Sequence, residues 1–294
     1  MARHNIVFGR DQAVQGQNYT APQFGQSQGG QAQGTQWSSG FDQQSPDNLE
    51  AMYARPSAGG HDTGRMTLRD ALNAITATLG LIVVVGFAVG VLPTVLGLVA
   101  GEQGASAGMM LAQVSLVVGL IGGLVTALVN IFKKQPSPIL VLAYAAFEGL
   151  LLGGFSAVLG AAFPGIALQA VFGTLAVAGT VLVLFRMGVL RSSPKLTKIF
   201  MVAMVAYLLF GVVNIVYIFA SGGSLREGVF GLVIGGLAVV MASYSLVLDF
   251  EDVQRASNAG VPRVYAWRCA FGIAATMVWL YIEILRILSI LRGD

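Results

Sequence analysis

Apolar residues gather along this chain into long, nearly unbroken runs separated by short polar stretches, and only about the first 65 positions lack them. A helix that crosses a bilayer needs about 20 apolar residues. Seven runs reach that length, at residues 73–99, 107–132, 139–160, 165–187, 197–220, 228–250 and 269–291. Thr67-Leu-Arg-Asp70 has the shape of a capping box with Asp in place of Glu, which predicts a helix start just ahead of the first run. Pro93 predicts a kink in that helix or its outer end. Residues 1–65 are rich in Gln, Gly and Ser, and the pattern predicts a disordered tail there, followed by a seven-helix transmembrane domain over residues 66–294. With no apolar core behind a basic start, the tail does not read as a cleavable secretory signal.

Composition agrees with this reading, since 55% of residues are hydrophobic and only 11% are charged, against roughly 25% charged in an average soluble domain. The net charge of +3 does not point to nucleic acid, because the basic residues form no patch interleaved with aromatics. They sit in the short loops instead. With the N-terminus in the cytoplasm, eleven lie on the inner side (from Arg65 and Arg69 through Lys133 and Lys134 to Arg268) and two, Arg226 and Arg292, on the outer. That bias orients the chain with its tail inside. Gly86 and Gly90, Gly149 and Gly153, and Gly231 and Gly235 have the four-residue spacing that lets helix backbones approach closely in lipid. No internal repeat of the kind that builds many secondary transporters is evident.

Chemistry is narrowed by what the runs contain. The single cysteine, Cys269, reads as a small buried residue and excludes disulfides within the chain. His4 and His61 both fall in the tail, which removes a His-based membrane protease and a His-rich metal site. No Gly-x-Gly-Asp protease motif occurs, so an enzyme is not expected. Of 14 acidic residues, few lie in or beside the runs: Glu148 midway along the third, Asp249 at the inner end of the sixth with Glu251 and Asp252 after it, and Glu283 in the seventh. Charges inside a span are costly and mark function. Glu283 and Arg286, three apart, share a face that must look into a bundle rather than at lipid. Asp249 and Asp252 also share a face, while Glu251 is expected to point toward the headgroups. Plainer readings stand beside these: Asp249 hydrating a helix end, Glu148 satisfied by one interhelical hydrogen bond, and Glu283 neutralised by Arg286 as a structural pair. Two buried carboxyls that meet would share a proton, and when both are ionised they form a hard oxygen site suited to Ca²⁺.

Leu280-Tyr-Ile-Glu-Ile-Leu-Arg-Ile-Leu288 is similar to the final-helix pattern, Leu-Tyr-Leu-Asp followed by apolar residues, of the Bax inhibitor-1/YccA family, also called transmembrane Bax inhibitor motif proteins. Tyr244-Ser-Leu-Val-Leu-Asp-Phe250 resembles the Tyr-Asp motif that closes the family's sixth helix, and Phe147-Glu-Gly-Leu-Leu-Leu-Gly153 resembles part of its third. The resemblance covers residues 66–294, leaves the tail outside, and suits a bacterial member. It implies an all-α fold of seven transmembrane helices with the last one central. It further implies a pH-sensitive Ca²⁺ leak of the plasma membrane, in which Asp249 and Glu283 share a proton and latch the closed state. Lipid, protons and Ca²⁺ are then the partners, with no cofactor.

Helix rise sets a condition on that pair. At 1.5 Å per residue Glu283 lies about 20 Å above Cys269, while Asp249 belongs within about 10 Å of the inner surface. Either the seventh helix protrudes into the cytoplasm before about Gly272, or Glu148 is the alternative partner of Glu283. A second reading of the whole chain is a non-conducting membrane interaction protein that recruits stress or quality-control partners through its tail and basic inner loops.

Overall fold

A computed structural model describes residues 64–293. The chain divides into two units, Met1–Arg65 and Met66–Asp294, and the helices described all belong to the second. The tail expected over residues 1–65 lies almost wholly outside the described residues. Every element described is a helix: α1 Leu68–Gly90, α2 Leu92–Phe132, α3 Pro138–Ala162, α4 Ile166–Arg186, α5 Pro194–Ser221, α6 Gly228–Ala259 and α7 Tyr265–Gly293. Six stretches are long and apolar enough to cross a membrane, the first of them running 65 residues from Leu68 to Phe132. Large apolar side chains such as Phe87, Leu98 and Phe219 are exposed on their outer faces. This is a multi-pass membrane protein whose apolar surface meets lipid.

α1 begins as its capping box predicts. The Asp70 amide donates to the Thr67 hydroxyl (3.2 Å), and the Asp70 carboxylate accepts from the Thr67 amide (3.1 Å) and hydroxyl (2.7 Å). The other Asp70 oxygen is ion-paired with Arg263, Nε lying 2.8 Å away, which ties the start of α1 to the loop before α7.

The 65-residue stretch is not straight. It bends at Val91, with Pro93 in the first turn that follows, and inside α2 the backbone leaves the helical region at Ala100 and at Gly101, whose φ is +63°. A methyl built on Gly104 would lie 2.0 Å from the Leu96 carbonyl oxygen, and one on Gly108 would lie 2.6 Å from Pro93 Cα. In a continuous helix Pro93 and Gly108 would stand about 22 Å apart. The chain therefore doubles back at Ala100–Gly101, where only glycine takes a positive φ without steric cost.

Glycines then set the packing around α3. A methyl on Gly153 would meet the Gly86 carbonyl at 2.5 Å, and one on Gly119 would meet the Leu151 amide at 2.3 Å, so α3 lies backbone to backbone against both α1 and α2. α7 packs on α1, α3, α4 and α6, and Ala270, Ala274, Leu280 and Leu285 on it are wholly buried. α5 is different. Its backbone approaches only that of α6.

Two ends depart from the sequence expectation. α6 continues to Ala259, well past the apolar run, because Asp252, Val253 and Ala256 form a buried stripe on a stretch that otherwise reads as polar. α7 starts at Tyr265 rather than at Cys269, on the buried side chains of Tyr265, Ala266 and Arg268. Asp249 is therefore ten residues inside a helix rather than at its inner end.

Candidate functional site

The seam between α6 and α7 carries two of the intramembrane acids. These helices run antiparallel in a fixed register, legible at four levels. Gly231 packs on Ile290 and Gly235 on Ile287, Ser245 bonds Thr276 at 3.2 Å, and Gly272 faces the Asp249 carboxyl. Residue numbers across the seam add to 521 or 522 at every level, which sets Glu283 opposite Ala238 and Asp249 opposite Gly272. Eleven residues separate Gly272 from Glu283, about 16 Å along the helix.

Asp249 and Glu283 accordingly do not meet, and the shared proton expected of them has no geometry here. The Thr276 hydroxyl donates to Asp249 Oδ2 at 2.6 Å, so Ser245 is the donor in its own contact with Thr276. A methyl on Gly272 would be 3.1 Å from Asp249 Oδ1, so the glycine provides room for the carboxyl. α7 begins at Tyr265, well before Gly272. The partner is Thr276 all the same, because α6 is extended by a matching length and slides Asp249 down the seam.

Glu283 is 1% exposed and is held by residues of three segments. Tyr207 of α5 donates its hydroxyl to Oε1. Arg286, one turn on, pairs with Oε2. Arg226, from the α5–α6 loop, places Nη1 3.7 Å from Oε1, its guanidinium lying 4.8 Å from the centre of the Tyr207 ring and 5.5 Å from that of Phe210. The Trp279 ring closes the group, 5.5 Å from that of Tyr207. One carboxylate faces two guanidinium groups, so the cluster is net positive. Sequence reasoning found Arg286 and missed Tyr207 and Arg226. Arg226 was signalled weakly, as one of two cations on the side where such loops are poor in positive charge.

The remaining acids lie apart from that cluster. Glu148, on α3, turns its carboxyl toward α2, where a methyl on Gly123 would lie 3.1 Å from Oε1. α3 runs parallel to α7, with Tyr144 edge-to-face against Phe271 at 4.8 Å and Ser156 bonded to Tyr281 at 2.8 Å. Glu148 is thus level with about residue 274 of α7, some 13 Å short of Glu283, and is not its partner. Asp252 is buried and pairs with Arg255 at 3.0 Å. Glu251, expected to point toward the headgroups, accepts from the Ser192 amide (2.6 Å) and hydroxyl (2.5 Å) and so clasps the α4–α5 connection. Among the described residues no three ligating side chains gather to hold a metal ion.

No curated protein and no solved structure matches this chain. A family match extends over residues 8–293, reaching back into the tail that the motif resemblance leaves outside. That family is described as Bax inhibitor 1 like, and on a match of this extent the chain belongs to it.

Proposed function

We propose that the protein is a pH-sensitive cation leak of the cell membrane, with Ca²⁺ as the ion its hard oxygen ligands suit best. The doubling back at Gly101 divides the first apolar stretch into two crossings, which makes seven in all. The excess of basic residues in alternate loops supports a cytoplasmic N-terminus, and the packing of α7 on four other helices, with Glu283 bonded to Tyr207 of α5, supports its central place. The observation that carries the reading is the arrangement along α7: a carboxylate ringed by two arginines near its outer end, and a second carboxyl about three turns closer to the cytoplasm.

In this reading the Glu283 cluster is the closed constriction. Its net positive charge opposes a cation until Arg226, the one member carried on a loop, moves away. Asp249 is the proton-sensitive step. It has a hydroxyl donor and, among the described residues, no cation against it, so its charge attracts a cation when ionised and vanishes on protonation, closing the path in acid. This replaces a shared proton by two acids acting in series.

Purified protein in liposomes loaded with a Ca²⁺ indicator tests it. Flux through the wild type should fall as pH is lowered, Asp249→Asn should give a low flux without that pH dependence, and Arg226→Gln should raise flux several-fold. A pH profile unchanged in Asp249→Asn together with unchanged flux in Arg226→Gln would overturn the proposal, and so would the absence of wild-type flux.

A further inference from the structure

Glu148 takes no part in the seam just described. It is 8% exposed, midway along α3, and its Oε2 is buried without a hydrogen-bond partner. Its polar neighbour is the Tyr144 hydroxyl, one turn earlier on the same helix. The neighbouring helices bring it no charge. On α2 it meets Gly123, and the only charged residue of that helix, Glu102, is 21 positions away, about 30 Å along the axis. On α1 the residues beside Gly149 are Ile82 and Val85, and Asp70 is twelve positions from Ile82, about 18 Å. From α7 comes Phe271, against the Tyr144 ring. Arg268 of that helix donates to the Lys133 carbonyl at the far end of α2, and Glu283 is held by its arginines. The charged residue of α4, Arg186, is its last.

An ionised carboxylate there would be sealed from water with neither a cation nor a second donor, a state that costs far more than burying the neutral acid. We propose that Glu148 is a proton-binding site in its own right: a neutral carboxylic acid sealed into the α2–α3 seam, separate from Asp249 and Glu283. The close approach of the two helices supports this. Gly123 leaves room for an uncharged carboxyl, and the backbone contact at Gly119 leaves none for a hydration shell, so loss of the proton forces the seam apart.

A hydrophobic carbodiimide distinguishes the two kinds of buried acid. It reacts with a protonated carboxyl, the acid's oxygen adding to the central carbon and its proton to a nitrogen, and the adduct rearranges in place with nothing leaving. On the full chain in detergent, with no flux involved, peptide mass spectrometry should find the adduct on Glu148, declining as pH is raised, and little on Glu283, whose arginines keep it ionised. Glu148→Gln should lose that adduct. It should also lose a protonated-carboxyl C=O band in wild-type-minus-variant infrared spectra, which is the readout if the reagent fails to enter. Absence of both adduct and band near neutral pH, or equal labelling of Glu148 and Glu283, would overturn the proposal. Failure of the flux experiment would not.

Discussion

The two sides of the bundle are held together by opposite means. Around α3, glycines bring backbones to within a methyl group of one another, and Glu148 is enclosed by apolar surface. Around α5 no such approach occurs. Phe200 faces Tyr244 at 5.3 Å, Tyr207 faces Trp279 at 5.5 Å and Phe210 faces Phe230 at 6.2 Å, and beside these aromatic pairs lie a hydrogen bond between the Thr197 and Tyr244 hydroxyls and one from Tyr207 to Glu283. Glycine seams are rigid because every atom is in contact. A helix held through the tips of side chains is released by breaking a few bonds.

The sharpest way to break the contrast is at Glu283. Glu283→Gln leaves two arginines facing a neutral amide, and removing one partner of a buried ion pair costs about 3–5 kcal/mol. Thermal unfolding in detergent should show the largest loss of this set, partly restored by adding Arg226→Gln. Next comes the scaffold, where Gly153→Ala puts a methyl 2.5 Å from the Gly86 carbonyl and forces two backbones apart, for about 1–3 kcal/mol. Gly236→Ala, with open space around it, should change little in the same measurement. Comparable losses at the two glycines would remove the distinction. Smallest is Tyr207→Phe, which keeps the ring against Trp279 and deletes one bond to a charged acceptor; such a bond contributes about 1.5–3 kcal/mol where it is the acceptor's main partner, and less here because both arginines remain. Its signature belongs to motion rather than stability: amide exchange should quicken in α5 and stay unchanged in α1 and α3.

Much of this contrast was legible beforehand, because the features involved are local. The capping box at Thr67 and Asp70, the apolar runs, and the glycine pairs at 86/90, 149/153 and 231/235 each declare themselves within a few residues. What escaped is relational. The polar residues after Phe250 read as a loop, since nothing in Asp252, Val253 and Ala256 announces that α7 will bury them. The reach of Arg226 into the bundle and the choice of Tyr207 among many apolar neighbours depend on how α5 is set against α7. Asp249 and Glu283 lie on the two packed helices, α6 and α7, but do not meet, because the register of an antiparallel pair depends on the length of both extensions, and α6 is lengthened as well as α7.

The clasp between Glu251 and Ser192 has a mechanical consequence. Just before α5 begins, the chain is fastened to α6 through that carboxylate. Near its other end, Asn214 Oδ1 accepts from the Leu225 amide at 2.8 Å, three residues ahead of α6. α5 is therefore strung from α6 at both ends, like a rod on two brackets, with Tyr207 between them. Any swivel of α6 about its long axis must drag the rod sideways, and the tyrosine would be drawn off its carboxylate without any push applied to α5 itself.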